Sequence, residues 1–293
     1  MITIKVPATS ANIGPGFDSL GVALKLYLTV EIHEETPTWI VDHDFSDTMP
    51  HDEKHFIVQT ALSLSANLKP HHIIVRSDIP LARGLGSSSS ALIAGLSMAN
   101  VLSELNLSND ALLHSATMLE GHPDNVAPAL LGGGVAAYYD GSHVFHAPIK
   151  IPKNVDFVIF IPNYELLTSA ARSALPDSLS FQESVAASAI SNTLVAALNA
   201  NDFATARELI EQDNFHEDAR ATLVPHLAII RQIAHQINIV GTYLSGAGPT
   251  ILTIVTKDRT DDLLAALLAA NLPGQVKILK QDLMGLTITK EEN

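Results

Sequence analysis

Apolar and polar positions along the chain fall into short apolar runs separated by longer periodic stretches. The short runs predict strands at Ile2–Val6, Leu24–Ile32, His72–Arg76 and Val135–Tyr139. A second set predicts strands at Asp156–Ile161, Ile239–Leu244, Ile251–Val255 and Val276–Lys280. Leu92, Leu96, Ala99 and Leu102 recur at near-helical spacing, so a helix is predicted from Ser88 to about Glu104. Further helical stretches are predicted at Phe56–Asn67, at about 181–200, 202–212 and 225–236, and at Asp261–Ala270. His33–Lys54, rich in Asp, Glu, Thr, Pro and His, reads as a loop.

The segment Ile149–Asn154, with Pro152 inside it, separates two differently patterned halves, 1–152 and 153–293. Setting the extra helices aside, the second half has the order β-α-β-β-α-β, which is ferredoxin-like. The fold class expected for the whole is α+β.

Composition narrows the picture. The chain has 293 residues with 47% hydrophobic content, enough for a substantial core, which excludes a disordered chain or a disulfide mini-scaffold. With 17 basic and 31 acidic residues the net charge is −14, which repels a nucleic-acid backbone. No nucleic-acid partner is expected. Cysteine is absent, excluding a thiolate zinc site or a cysteine nucleophile. Apolar stretches are broken by charge, Gly or Pro, so no membrane association is expected and the location expected is cytoplasmic.

The most informative stretch is Pro80-Leu81-Ala82-Arg83-Gly84-Leu85-Gly86-Ser87-Ser88-Ser89-Ser90, which follows a strand and opens a helix. Gly84 and Gly86 permit positive φ and close backbone approach to a ligand. First-turn amides backed by the helix dipole suit an anion, phosphate above all, and the serines can cap the helix and donate hydroxyls. A plain Ser-capped turn is the bland alternative. Four consecutive serines behind Gly-Leu-Gly favour phosphate. The stretch is neither a Walker loop nor a Rossmann fingerprint. Arg83 is its only cation, so charge must be met by backbone amides and a divalent cation.

This pattern resembles the phosphate-binding motif of the GHMP kinases, the superfamily of galactokinase, homoserine kinase, mevalonate kinase and phosphomevalonate kinase. Val6-Pro7-Ala8-Thr9-Ser10-Ala11-Asn12-Ile13-Gly14-Pro15-Gly16-Phe17-Asp18 and Gly241-Thr242-Tyr243-Leu244-Ser245-Gly246-Ala247-Gly248-Pro249-Thr250 look like the first and third motifs of that superfamily. The resemblance spans essentially the whole chain. It implies a two-domain fold: residues 1–152 as a nucleotide-binding domain resembling a ribosomal-protein fold, and residues 153–293 as a ferredoxin-like domain. It also implies ATP, Mg2+ and a homodimer.

Within the superfamily, the first motif is close to the version in the homoserine-phosphorylating branch. So are Glu120-Gly121-His122-Pro123-Asp124-Asn125, Thr168-Ser169-Ala170-Ala171-Arg172 and Asp213-Asn214-Phe215-His216-Glu217-Asp218-Ala219-Arg220. The activity this implies is ATP-dependent phosphorylation of L-homoserine to O-phospho-L-homoserine, a step of threonine biosynthesis.

The same resemblance implies the site. Asn12, Asp18, His122, Asn125, Thr168, Arg172, Arg220 and Gly246 are expected at the substrate, and Pro80 to Ser90 at the nucleotide. Asp18 suits an ammonium, while Arg172 and Arg220 suit a carboxylate in fork geometry. Acidic neighbours Glu165, Glu217 and Asp218 make surface ion pairs the plain alternative for the arginines. Glu120 with Ser87 or Ser88 suits Mg2+. Asn125, Asp124, Arg220 and Asn12 are the catalytic candidates. Asn125 takes the place of a base carboxylate used by some relatives, and Lys5 does not supply that carboxylate's lysine partner. Asp124 or His216 as base, or direct transfer with late proton loss, stay open. His51, His55, His71 and His72 are expected to be solvated loop residues. Ser245–Pro249 is expected to form a tight turn that lets the second domain close on the phosphate loop.

Overall fold

The structure is a computed structural model and describes residues 1–46 and 48–291. The first half runs β1 (Ile2–Ala11), β2 (Leu20–Glu35), β3 (Ile40–Asp42), α1 (Phe56–Leu64), β4 (His71–Ser77), α2 (Ser87–Leu102), α3 (Asn109–Glu120), α4 (Pro123–Leu131), β5 (Gly134–Tyr139) and β6 (Val144–Ile149). The second half runs β7 (Val155–Pro162), α5 (Thr168–Ser173), α6 (Phe181–Asn199), α7 (Phe203–Ile210), α8 (His226–Gln236), β8 (Thr242–Leu244), β9 (Ile251–Thr256), α9 (Thr260–Ala269), β10 (Gly274–Leu279) and β11 (Thr287–Lys290).

Among the described residues the strands form two sheets. The smaller has the order β10-β7-β9-β8, every pair antiparallel, which is the ferredoxin-like arrangement expected from the sequence. Its central strand β7 is buried along its full length. Phe157, Ile159 and Ile161 point into one core, with Leu194, Ala206 and Ile210 from the helices on that side. Val158 and Phe160 point into the other, with Leu227 and Ile230 of α8 and Leu263 and Leu267 of α9. The two-residue period of a strand makes that division.

The larger sheet has seven strands in the order β11-β1-β2-β4-β3, with β5 pairing both β2 and β6. The expected boundary is amended at its end. The chain leaves the smaller sheet after Leu279, and β11 pairs antiparallel with β1, from Ile2 opposite Lys290 to Lys5 opposite Thr287. A strand laid against the far edge of β1 is a contact between the two chain ends, which local periodicity does not reveal.

Other differences are local. β2 begins at Leu20, four residues before its expected start, because Leu20 to Val22 also pair with β5. The polar stretch 33–54 holds the short β3, parallel to β4. His71 and His72 lie in β4, and His72 meets Asp42 at 2.8 Å. His55 is 3% exposed, not solvated, and its Nδ1 accepts the Ile57 amide at 3.3 Å as the N-cap of α1. No helix among the described residues is long and apolar enough to cross a membrane.

Candidate active site

The three glycine-bearing motifs meet at one cleft. The strand β1 delivers Ser10, whose hydroxyl lies 2.9 Å from the Tyr243 hydroxyl and 2.8 Å from Ser245 Oγ. Ser245 donates to the Gly84 carbonyl at 2.6 Å, and the Gly246 amide donates to the Ala11 carbonyl at 3.2 Å. The turn after β8 therefore seals the Gly84 loop against the end of β1. The cleft beside this junction has a volume of about 250 Å3.

The helix α2 begins without a side-chain cap. Gly86 occupies the N-cap position in a left-handed conformation, φ 68°, and no side chain bonds to the first turn. The expected serine cap is thus absent. The Ser90 amide is the first to bond back, to the Gly86 carbonyl at 2.8 Å. The amides of Ser87, Ser88 and Ser89 have no partner among the described residues, and all three residues line the cleft. Amides free at a helix N-terminus attract an anion. A Cβ on Gly86 would sit 2.0 Å from Thr9 Oγ, and one on Gly84 2.4 Å from the Ser245 carbonyl oxygen. Glycine is the residue both close approaches admit.

The four serines divide by role. Ser90 Oγ bonds to the Pro7 and Gly86 carbonyls, at 2.8 and 2.9 Å. Ser89 Oγ donates to Glu120 Oε1 at 2.6 Å, a contact the sequence did not reveal. The hydroxyls of Ser87 and Ser88 make no hydrogen bond among the described residues. A carboxylate at the end of α3 beside unengaged hydroxyls is a hard oxygen set that fits Mg2+.

Several loop residues expected at the nucleotide face elsewhere. Leu85 is buried in the core, and the Ser90 hydroxyl is consumed by carbonyls. Pro80 lines a separate crevice with Asn163 and Lys277. Arg83 reaches the cleft, but its guanidinium bonds to the carbonyls of Pro162, Leu81 and Asn163 and pairs with Glu165 at 3.3 Å. Its charge is largely spoken for by the second domain.

The other end of the cleft holds charge. Arg172 in α5 donates to both oxygens of Asp18, at 2.8 and 3.1 Å. Arg220 is 2% exposed, and its donors reach the Ala171 carbonyl at 3.0 Å, the Gly246 carbonyl at 2.9 Å and His216 Nδ1 at 3.2 Å. Burial, with the nearby Arg172 charge, brings its pKa down to about 10, which leaves it cationic at neutral pH. Both guanidiniums lie over the Phe17 ring, 5.8 and 5.6 Å from its centroid. Asn12, in a left-handed conformation, donates to the Gly246 carbonyl and accepts the Asp18 amide, each at 3.1 Å. It fastens the loop that carries Asp18. Thr168 stands exposed at the start of α5 and also lines the cleft.

Between these ends lies a polar wall. His122 Nδ1 bonds to the buried Asp124 carboxylate, whose same oxygen accepts Asn125 Nδ2 at 3.3 Å. Thr9 Oγ donates to Asn125 Oδ1 at 2.8 Å. Burial lowers the His122 pKa, but the Asp124 hydrogen bond and charge outweigh it, and the net shift is upward. Asp18, His122 and Asp124 bring possible ligand atoms within 4.8 Å of one another. Arg172 and the His122–Asp124 bond already occupy them, so the cluster reads as a hydrogen-bonded wall. His216 lies behind Arg220, buried, with Nε2 3.1 Å from the Gly14 carbonyl. It is outside the cleft and positions Arg220. Lys5 is over the Tyr27 ring at 3.8 Å and takes no part here.

Two family profiles match the chain: GHMP kinases N terminal domain over residues 55–133 and GHMP kinases C terminal over residues 194–274. A homoserine kinase of Leuconostoc mesenteroides subsp. mesenteroides is 67% identical over 290 residues, 99% of each chain. That of Leuconostoc citreum is 61% identical over 292 residues, 100% of each. Among solved structures, a homoserine kinase from Cytophaga hutchinsonii is 27% identical with a TM-score of 0.83, covering 98% of this chain and 97% of its own. The chain belongs to the homoserine kinases of the GHMP kinase family.

For this homoserine kinase family member, the cleft brings together Asn12, Asp18, His122, Asp124, Asn125, Thr168, Arg172, Arg220 and Gly246 with Glu120 and the serines. Sequence reasoning missed Thr9 and Phe17, and it placed Ser89 at the nucleotide without foreseeing its bond to Glu120. It also missed an apolar pocket of about 200 Å3 that shares Ala82, Ser87 and Ser88 with the cleft and is closed by Phe45, Met49 and Phe56. Those aromatic and Met side chains sit in or beside a segment whose polar average hides them.

Proposed function

We propose that this protein transfers the γ-phosphoryl group of ATP to the side-chain hydroxyl of L-homoserine, giving O-phospho-L-homoserine and ADP, in threonine biosynthesis. The observation that carries the reading is one cleft with two opposite ends. Unpaired amides of Ser87 to Ser89 lie at one end, and Asp18 with Arg172 and Arg220 lies at the other. A triphosphate suits the first, and an amino acid's ammonium and carboxylate suit the second.

The amides of the Gly84–Ser89 turn hold the triphosphate oxygens, and the apolar pocket beside Ser87 and Ser88 seats the base. Glu120 with Ser87 or Ser88 would hold Mg2+, which offsets phosphate charge when bound. Asp18 takes the ammonium, and Arg172 and Arg220 take the carboxylate, so the Asp18–Arg172 pair opens to admit substrate. Asn12 and Gly246 fix that end, and His122 and Asn125 line the path of the hydroxyl. Asp124 Oδ1 already accepts from both His122 and Asn125, which ties that carboxylate into the wall. We therefore assign direct in-line transfer, with the hydroxyl proton leaving late to a phosphate oxygen. The reading includes a homodimer in the cytoplasm, the first testable by sedimentation.

A coupled ADP-release assay over several alcohols tests the substrate. Turnover with L-homoserine and none with mevalonate supports it; turnover with mevalonate alone refutes it.

A further inference from the structure

One lining residue of the apolar pocket, His55, belongs to a histidine trio whose other members stand behind it. His43 and His51 stack with ring centroids 4.0 Å apart, and His43 lies 5.4 Å from His55. Each ring is tied to the backbone at one nitrogen: His43 Nε2 near the Pro50 carbonyl at 3.3 Å, His51 Nδ1 at the Val41 carbonyl at 2.8 Å, and His55 Nδ1 at the Ile57 amide. His43 Nδ1 and His55 Nε2 are buried with no partner among the described residues. Phe45 stacks on His43 at 5.3 Å and lines the pocket with His55, Met49 and Phe56.

The cap on α1 fixes the protonation state of His55. Nδ1 accepts the Ile57 amide through its lone pair, so the ring hydrogen sits on Nε2 and the ring is neutral. A second proton would go to Nδ1, turn that acceptor into a donor facing a donor, and end the cap. It would also place charge in a buried seat beside two imidazoles. Among the described residues, the charges acting on His55 are those of His43 and His51. Val75 and Ser77 of β4, and Ser87, Ser88 and Ala91 of α2, line the pocket from the other side and are uncharged.

We propose that neutral His55 is a positioning residue for nucleotide binding: it holds Phe45, Met49 and Phe56 closed over the base pocket, and acid opens that wall and weakens nucleotide binding. The proposal rests on the reading of this pocket as the base seat. Burial, then His43 and His51, lower the His55 pKa from 6.5 to about 4. With the wall open the ring regains its ordinary value, so opening is favoured increasingly as pH falls below 6.5.

The test measures the Kd of ADP with Mg2+ by calorimetry from about pH 7.5 to about pH 5.5, a range around the ordinary histidine value. The full chain is compared with His55→Asn, whose amide oxygen can still cap α1 but takes up no proton. Ionisation of ADP cancels in the ratio. The proposal expects the ratio of wild-type to variant Kd to grow on acidification, by at most about tenfold per pH unit. A flat ratio overturns it. Ala91→Trp, which fills the pocket, separates the two layers. An unchanged Kd near neutral pH removes the base seat and the proposal with it; a weakened Kd beside a flat ratio removes the role of His55 alone. Should His55→Asn not fold, imidazole NMR on the wild type decides. His55 should titrate well below 6.5, and lower still with ADP. An ordinary titration unmoved by ADP contradicts the proposal.

Discussion

Asp18 and Arg172 face each other across the mouth of the cleft in a two-pronged ion pair, with contacts of 2.8 and 3.1 Å. One residue comes from the loop after β1 and the other from α5, 154 positions further along the chain. Each is the group that an amino-acid substrate would need, so under the proposed function binding would exchange one ion pair for two. Asp18→Asn should raise the KM for homoserine by about tenfold to a hundredfold, the worth of one hydrogen bond to a charged group. Nucleotide affinity should stay near wild type. Steady-state kinetics in each substrate checks the split.

Arg220 has a different setting. It is buried, and its fork is shaped by the Ala171 and Gly246 carbonyls and His216. Arg220→Leu should lower kcat/KM for homoserine by roughly two orders of magnitude or more, from lost charge-assisted hydrogen bonds. ADP binding should change little. Because the carbonyls left behind are buried, some loss of Tm is also expected. Arg220→Lys keeps the charge without the fork and should recover only part of the rate.

Gly84 tests the backbone. Its φ is 75°, and a Cβ would meet the Ser245 carbonyl at 2.4 Å. That oxygen and the Gly248 carbonyl oxygen, at 2.8 Å, are both main chain, so relief requires parting the Gly84 loop from the turn after β8. Gly84→Ala should cost about 1–3 kcal/mol of stability and weaken ADP binding. Thermal unfolding and calorimetry measure the two effects.

His122 gives a pH signature. Burial opposes its charge, but Asp124 raises its pKa above the ordinary 6.5. A raised histidine contributes stability that is fully present below 6.5 and lost as pH climbs through the folded value. Asp124→Asn should remove the larger raising contacts, leaving the weaker pull of Asp18, and let burial carry the pKa downward. An NMR titration of the imidazole in both proteins follows this directly.

Much of this was legible in the sequence because the informative residues are local. The Gly-Leu-Gly-Ser run, the two arginines and the β-α-β-β-α-β order each occupy a short window. What stayed hidden depends on distant contacts. β11 exists because Thr287–Lys290 finds the edge of β1. The Ser89–Glu120 contact was obscured because four like side chains differ only in what faces them: Pro7 for Ser90, Glu120 for Ser89. α3 and α4 were missed because Gly121 and Pro123 punctuate one apolar stretch into two short helices. His55 was misread because a histidine is an uncommon helix cap, and its burial comes from His43, Phe45 and Met49 in a segment of polar average.

A crystal structure with L-homoserine and a non-hydrolysable ATP analogue tests the central claim most directly. Triphosphate oxygens should lie within hydrogen-bond distance of the amides of Ser87 to Ser89, with the amino-acid carboxylate held by Arg172 and Arg220. A nucleotide bound outside this cleft, or an amino acid that leaves the Asp18–Arg172 pair closed and both arginines untouched, would contradict it.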